Sequence, residues 1–177
     1  MGEKLDTPAL TFGHKHQFAS RLAFRLAGRA RMDPCSWMNP DKKTRLREFA
    51  ERYTAAWCSQ DAARVADFFS ADGSLAINGG APAVGRGAIT QAAQGFMTAF
   101  PDLMVMMDDV VDQGERMIYK WTLVGTNTGP GGTGHRVRIS GFENWRIGAD
   151  GLVAKSEGNF DSAAYQRQLG RGAEAEP

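Results

Sequence analysis

The sequence predicts an α+β fold, with helices in the first part of the chain and antiparallel strands after them. Much of the stretch from Thr44 to Phe100 places apolar residues three and four positions apart, as helices with one buried side do. From Leu103 to Asp161, apolar and polar residues tend to alternate, which is typical of strands with one buried face. Turn sequences at Asp112–Gly114 and Gly148–Gly151 divide this second stretch into successive strands.

Three helices are predicted before the main run of strands, and a fourth is predicted after it. The first spans Thr44 to Ser59, and the second begins at its N-cap Asp61 and continues to Phe69. The third spans Ala88 to Phe100, and the last spans Ser162 to Leu169 with Asp161 as its N-cap. The apolar stripe of the first helix consists of Leu46, Phe49, Tyr53 and Trp57.

Five strands are predicted, over residues 74–77, 103–112, 116–125, 135–147 and 151–161. Asp72-Gly73 is expected to be the turn before the first of them. The glycine-rich stretch from Gly125 to Gly134 lacks the strand-to-helix context of a phosphate-binding loop. We therefore expect it to be a long hairpin connection.

Length and composition suggest one domain with two appendages. The 177 residues divide into an N-terminal extension at 1–40, a domain at 41–170 and a tail at 171–177. The extension has no sustained pattern, so we expect it to be disordered or to reflect a misassigned start. The net charge of +1 provides no overall field for nucleic acid or an anionic membrane, and no apolar run is long enough to span a bilayer. These features favour a cytoplasmic protein.

No motif for a metal, a nucleotide or a Ser/His/Asp triad is recognisable in the sequence, so no metal and no cofactor is expected. The two cysteines, Cys35 and Cys58, form neither a metal-ligand set nor a disulfide framework. His135 opens a strand beside the glycine-rich stretch, and we expect it to be a solvated turn residue.

The strand from His135 to Ile147 contains the most informative residue, Glu143. Odd-numbered positions form the apolar face of this strand, and Glu143 lies on that face. A carboxylate there must be paired, hydrogen-bonded, near water in a cavity, or neutral because its pKa is raised. The last two conditions are also those of a working acid or base. The alternative is a structural glutamate that an arginine or a backbone amide satisfies.

Two neighbouring features bear on Glu143. Tyr53 lies on the core-facing stripe of the first helix, and its hydroxyl needs a partner if buried, which Glu143 could supply. On the strand over residues 151–161, the apolar face is small at Ser156 and Gly158, so it cannot fill the space over the sheet alone. The small residues indicate either a cavity or room for a neighbouring helix.

Short motifs in a fixed order resemble nuclear transport factor 2-like domains and, among them, the SnoaL-like polyketide cyclases. The motifs are Phe49–Tyr53, Trp57–Asp61, Phe68–Gly73, Gly85–Ile89, Phe100–Asp102, Gly125–Gly129, Gly134–Gly141, Asp150–Val153 and Gln168–Gly170, within residues 44–170. The resemblance implies an α+β cone, in which three N-terminal helices close a curved antiparallel sheet over a hydrophobic pocket. It also implies a homodimer.

The resemblance further implies a ligand and the residues that bind it. By similarity to ketosteroid isomerases, Tyr53 stands where an oxyanion-hole tyrosine stands, and Glu143 stands where a neutral aspartic acid donates a hydrogen bond. The ligand would be a small hydrophobic molecule. The ligand-binding residues would be Trp57, Met117, Tyr119, Trp121, Gly141, Trp145, Ser156, Gly158 and Phe160.

Several positions depart from the family patterns. Asn127 replaces a histidine of the cyclase branch, and Gly158 replaces the last-strand aspartate of cyclases and limonene epoxide hydrolases. The general base of the isomerases aligns near Ile77 or Asn78, neither of which takes a proton at neutral pH. Two functions follow: acid–base chemistry of the cyclase or isomerase type on a carbonyl compound with Glu143 as acid or base, or a non-catalytic ligand-binding or dimerisation module.

Overall fold

The computed structural model describes residues 40–173, so most of the predicted N-terminal extension and the end of the predicted tail lie outside the described residues. The helices are α1 (Pro40–Cys58), α2 (Ala62–Ala66), α3 (Gly85–Ala99) and α4 (Ser162–Arg171). The strands are β1 (Phe69–Ile77), β2 (Ala83–Val84), β3 (Met104–Asp112), β4 (Met117–Thr126), β5 (Arg136–Ile147) and β6 (Val153–Phe160). The predicted α+β fold class is confirmed.

The strands of the described part form one curved six-stranded sheet in the order β2-β1-β6-β5-β4-β3. Neighbouring strands are antiparallel, except that β1 and β6 run parallel. Helix α1 packs against β3 and α3 packs against β1, so the apolar core lies between the helices and one face of the sheet. This is the cone that the resemblance implies. No helix between residues 40 and 173 has the length and apolar character to cross a membrane.

The apolar stripe of α1 forms as predicted and delivers aromatic side chains to the core. Tyr53 is fully buried and Trp57 nearly so. Phe49, one turn earlier, meets Phe68 and Trp145 edge-on at ring distances of 5.2 and 5.7 Å. Each such aromatic pair contributes about 0.5–1.5 kcal/mol beyond its buried area. The stripe therefore fixes how α1 sits over the sheet.

The second helix is shorter than predicted, because it ends at Ala66 rather than Phe69. Its predicted N-cap is confirmed, since the Asp61 side chain accepts a hydrogen bond from the Ala63 N–H at 3.1 Å. Asp161 caps α4 in the same way, as predicted. Phe69 instead begins β1 and is fully buried. An apolar residue after a short helix is equally consistent with either element, so the pattern alone misplaced this boundary.

The predicted turn at residues 72–73 is wrong, because these residues form a bulge inside β1. Pairing with β6 jumps from Phe69–Val153 to Ser74–Lys155. A Cβ atom on Gly73 would lie 2.7 Å from the Val153 carbonyl oxygen, so the close approach of the two backbones requires glycine. Bulges and turns share this local chemistry, which explains the misassignment.

The C-terminal segment is bound to the sheet further than predicted. Helix α4 continues to Arg171, and the Ala173 N–H donates to the Arg136 carbonyl oxygen at 2.7 Å. His135 is half-buried, and its Nδ1 donates to the Leu169 carbonyl oxygen at 2.8 Å, so it is not the solvated turn residue predicted. Strand β6 pairs with β5 only from residue 141 onward, which leaves the first part of β5 available to this segment.

Candidate active site

Strand β5, between β4 and β6, places Glu143 on the buried face of the sheet. Tyr119 of β4 lies opposite it on one side, and Gly158 of β6 lies opposite it on the other. The alternation predicted for this strand is confirmed, because Val137 and Ile139 on the same face are buried and Glu143 itself is only 6% exposed. A carboxyl group in this position has lost nearly all contact with bulk water.

Three neutral side chains hold the Glu143 carboxyl group. The Tyr53 hydroxyl donates to the carboxyl group and lies 3.2 Å from each of its two oxygens. Trp145 Nε1 donates to Oε2 at 2.8 Å, and Ser156 Oγ donates to Oε2 at 2.6 Å. The predicted Tyr53–Glu143 hydrogen bond is thus confirmed. Among the described residues, no arginine or lysine forms an ion pair with Glu143, so the structural alternative with an arginine partner finds no support there.

The bonding of the two oxygens is uneven, and this decides where a proton can sit. Oε2 accepts from three donors, whereas Oε1 has only the long contact shared with Tyr53. Burial raises the pKa of Glu143, because desolvation penalises the charged form, and the hydrogen bonds from Ser156, Trp145 and Tyr53 oppose that rise. The proton of the neutral form therefore belongs on Oε1.

Tyr53 remains a neutral donor at all ordinary pH values. Desolvation, followed by the nearby Glu143 charge, raises the pKa of Tyr53 well above its usual value. Its ring meets Tyr119 and Trp145 edge-on at 5.5 and 5.1 Å, and these two rings stack on each other at 4.7 Å. The Tyr119 hydroxyl bonds to Thr54 Oγ1 at 2.7 Å. The packed rings fix the direction of each donor.

A narrow cavity of about 50 Å³ opens beside Glu143, which is the charged residue in its wall. Five of the predicted ligand-binding residues line it together with Glu143, namely Trp57, Tyr119, Trp121, Gly158 and Phe160. A Cβ atom on Gly158 would lie 3.6 Å from Glu143 Cγ, an ordinary contact, so the missing side chain contributes to the open space. Typical ligand pockets measure about 300–1,000 Å³, so a larger molecule would have to move side chains of the wall.

The other predicted site residues lie close by but do not line the cavity. Tyr53, Trp145 and Ser156 instead hold Glu143 in place. Gly141 lies against Trp121, because a Cβ atom there would approach its ring to 2.6 Å. Met117, the first residue of β4, is half-buried and packs against the core.

Half of the cavity wall was not predicted to be part of a site. These residues are Leu75, Ile77, Phe96, Val105, Leu123 and Ile139. Each lies on the inward face of a helix or strand, which periodicity can indicate. Whether an inward residue packs against a neighbour or borders free space depends on distances between elements, for which the sequence carries no signal.

Asn127, at one of the positions that depart from the family patterns, has a structural role. It follows β4, where its Nδ2 donates to the Ala99 carbonyl oxygen at 3.1 Å and its Oδ1 accepts from the Thr133 N–H at 2.8 Å. These bonds close the glycine-rich stretch, which is the predicted hairpin connection between β4 and β5. Asn127 lies about 25 Å along the strand from Tyr119, the neighbour of Glu143.

Asn78, near the aligned position of the isomerase base, also acts on the backbone. Its Oδ1 accepts from the Phe160 N–H at 2.9 Å, and its own N–H donates to the Gly158 carbonyl oxygen at 2.8 Å. Asn78 directly follows β1, and its φ of 49° lies in the left-handed region, where the extended backbone of the strand does not continue. Among the described residues, no group of three His, Cys, Asp or Glu side chains is placed to hold a metal ion.

Several solved structures share the fold. A protein of Catenulispora acidiphila DSM 44928 with a ketosteroid isomerase-like fold, in complex with trimethylamine, is 17% identical, with 73% of this chain and 98% of that chain covered and a TM-score of 0.63. TsrD from Streptomyces laurentii is 23% identical (72% and 96% covered, TM-score 0.63). An NTF2-like protein of Burkholderia pseudomallei K96243 is 17% identical (70% and 95% covered, TM-score 0.60). At these identities the likeness establishes the fold.

A search of curated proteins found no match to the sequence. The profile of the SnoaL-like polyketide cyclases, in contrast, matches residues 47–169. This range begins in α1, ends in α4 and includes every strand of the described sheet, together with Glu143 and its three donors. The chain therefore belongs to the SnoaL-like polyketide cyclase family.

Proposed function

We propose that the protein binds a small, mainly apolar carbonyl compound in the cavity and that Glu143 exchanges a proton with it. The observation that carries the proposal is the uneven bonding of the Glu143 carboxyl group in an apolar wall. Oε2 is held by three donors and orients the group, while Oε1 is left to take and return a proton. Burial moves the pKa towards neutrality, where general acid–base catalysis is most effective.

The chemistry would begin at the carbon next to the carbonyl group. Glu143 Oε1 takes a proton from this carbon, the electrons of the broken C–H bond move to the carbonyl oxygen, and the proton returns to carbon in the next step. Tyr53 stays within 3.2 Å of both carboxyl oxygens, so it supports the charged and the neutral form alike. Cyclase-type and isomerase-type reactions both start with this transfer.

The test is deuterium exchange into 1-indanone, a bicyclic ketone, dissolved with the protein in D₂O and followed by NMR. We expect wild type to accelerate exchange at the carbon next to the carbonyl group, and Glu143→Gln to abolish the acceleration. Glu157→Gln is the matched control, because Glu157 lies on the neighbouring strand, partly exposed and paired with Lys155 at 2.7 Å. Equal exchange by wild type and Glu143→Gln contradicts the assignment of Glu143.

The second candidate function is non-catalytic ligand binding by the same cavity. It is favoured by Asn127, whose side chain is committed to the hairpin connection, and by Gly158, which has no side chain to offer. In that case 1-indanone would bind without any acceleration of exchange, and Glu143→Gln would change only the affinity. Calorimetric titration beside the exchange assay separates the two functions.

We also propose a homodimer formed through the outer face of the sheet. This face carries three exposed large apolar side chains, Met104 at 52%, Met106 at 40% and Phe142 at 39% exposure. Asp109 of β3 and Arg146 of β5 lie on the same face, so a two-fold arrangement of two copies can bring opposite charges together. We expect light scattering at micromolar concentration to show a dimer, and Phe142→Lys to shift it to monomer. A monomeric wild type contradicts this proposal.

A further inference from the structure

Trp121 carries a buried polar atom that the chemistry described above does not use. Its side chain lines the cavity, and its Nε1 is shielded from solvent. Within the described residues, this atom is the buried side-chain nitrogen or oxygen that lacks a hydrogen-bond partner. Buried donors are nearly always paired in folded proteins, so an unpaired one on a side chain that lines a cavity points to a partner that enters the cavity.

The sheet places this donor near Glu143. Trp121 on β4 is paired with Gly141 on β5, so Trp121 and Glu143 are diagonal neighbours on one face. Such neighbours are about 7–8 Å apart at the backbone, within the length of one small bicyclic molecule. Both side chains border the same cavity, so a single molecule that enters it by moving other side chains of the wall can contact both.

The orientation of the indole ring is fixed by its surroundings. The absence of a side chain at Gly141 admits the ring, since a Cβ atom there would lie 2.6 Å from Trp121 Cζ2. The Phe160 ring packs against the indole ring at a centroid distance of 6.2 Å and an interplanar angle of 62°. A donor held in this way loses little freedom when it binds an acceptor, which is the condition for effective stabilisation of developing charge.

We propose that Trp121 Nε1 donates a hydrogen bond to the carbonyl oxygen of the ligand while Glu143 Oε1 faces the adjacent carbon. This inference rests on the proposed function and adds the hydrogen-bond donor that stabilises the oxygen on which the displaced electrons collect. When the C–H bond breaks and its proton passes to Glu143, the electron pair moves through the new carbon–carbon double bond to the carbonyl oxygen. The N–H of Trp121 stabilises that oxygen and selects ketones over hydrocarbons of the same shape.

Binding is tested with 1-indanone and indane, which share a carbon skeleton and differ in the carbonyl oxygen. We expect wild type to bind 1-indanone about tenfold more tightly than indane, and Trp121→Phe to bind the two alike. The indole proton resonance of Trp121, assigned in wild type by triple-resonance NMR, should move downfield with 1-indanone and not with indane. This measurement does not depend on whether the variant folds.

The exchange assay distinguishes failure of this inference from failure of the proposed function. We expect Trp121→Phe, if its thermal melt is cooperative, to slow deuterium exchange at least tenfold at saturating 1-indanone. Exchange that requires Glu143 but is unchanged in Trp121→Phe, or an indole resonance that responds equally to both probes, would overturn the role of Trp121 alone. Absence of binding by either probe would overturn both proposals.

Discussion

Two carboxyl groups in this domain accept strong hydrogen bonds, yet their pKa values move in opposite directions. Asp102, in the turn between α3 and β3, is exposed and accepts from the Thr126 N–H at 2.6 Å and from the Thr126 hydroxyl at 2.7 Å. These bonds, the backbone one first, lower the pKa of Asp102. Glu143 accepts from three donors, but its pKa is raised because desolvation outweighs them. Burial, rather than the number of hydrogen bonds, decides in which direction the pKa values of these two carboxyl groups move.

The difference separates a structural carboxylate from a candidate reactive one. Asp102 is held in its charged form at neutral pH, so it can fasten the end of β4 but has no reason to exchange a proton there. Glu143 is held in position by its donors, while burial raises its pKa and so weakens its preference for the charged form.

Removing the acceptor from the buried cluster should have the largest effect. Glu143→Ala leaves the hydroxyls of Tyr53 and Ser156 and the indole N–H of Trp145 without an acceptor, so we expect a loss of about 3–5 kcal/mol in the free energy of unfolding. Glu143→Gln keeps one oxygen for Oε2's donors and offers an N–H to Tyr53, so its loss should stay below about 1.5 kcal/mol. Urea denaturation measures both. A loss for Glu143→Gln as large as that for alanine would indicate a buried ion pair instead.

The stability difference between wild type and Glu143→Gln should depend on pH. The folded pKa of Glu143 lies above its unfolded value of about 4.3, so the folded state binds the proton more tightly. The stabilising contribution is fully present below that unfolded value and is lost as pH rises through the folded pKa. Denaturation of both proteins between about pH 4 and pH 9 should show the free energy of unfolding of wild type falling, relative to that of the variant, as pH rises. A constant difference would mean that Glu143 titrates normally.

Weakening the shortest bond to Glu143 should raise its pKa further. Ser156 makes the largest of the hydrogen-bond contributions that lower this pKa, so Ser156→Ala removes opposition to the desolvation effect. We expect a cost of about 1 kcal/mol in stability and a higher midpoint in a carbon-13 NMR titration of the carboxyl group. Ser140→Ala is the control, because Ser140 bonds to Thr122 on the outer face and should leave the midpoint unchanged.

Substitution of the exposed carboxylate Asp102 should change stability only slightly, and the pH dependence of its contribution should be opposite to that of Glu143. Asp102→Asn should cost less than about 1 kcal/mol near neutral pH, since solvent screens an exposed carboxylate. The contribution of Asp102 is present above its unfolded pKa of about 3.9 and is lost as pH falls through its lowered folded pKa. Denaturation of wild type and variant should therefore converge in acid. A difference that grows in acid would contradict the lowered pKa.

The Tyr53–Glu143 contact could be predicted because the periodicity of apolar residues in α1 and in β5 shows that both side chains point inward. The helical stripe of α1 turns Tyr53 inward, and the alternation of β5 turns Glu143 inward, so only one core is available to both. The donor role of Trp145 could not be predicted in this way, because it depends on how the indole folds back over the sheet. The alternation of β5 assigned Trp145 to the correct face, and the resemblance predicted it as a ligand-binding residue, but neither indicated that its indole N–H donates to Glu143 Oε2.

The pairing of strands that are distant in the chain could not be predicted from the sequence. Four of the five predicted strands are confirmed to within two residues at each end, whereas β1 begins at Phe69 rather than at residue 74 and β2 was not predicted. Nothing in the patterns indicates that β1 pairs with β6 in parallel. Alternation reports which face of a strand is buried and carries no information about its neighbour. The misassigned turn in β1 has the same origin, because the bulge at Gly73 exists to accommodate the backbone of β6.

The parallel pairing of β1 and β6 also sets the order in which the chain can fold. Asn78 and Phe160, which close the end of this pair, are 82 residues apart. The antiparallel strands β3 to β6 can assemble through successive neighbours, whereas β1 gains its main partner only when the last strand has been synthesised. Contacts of such sequence separation slow folding, because loop-closure entropy is lost before the contacts form. Strand β1 should therefore dock late, and a ribosome-bound chain that lacks β6 would expose its unpaired edges to chaperones and to other chains.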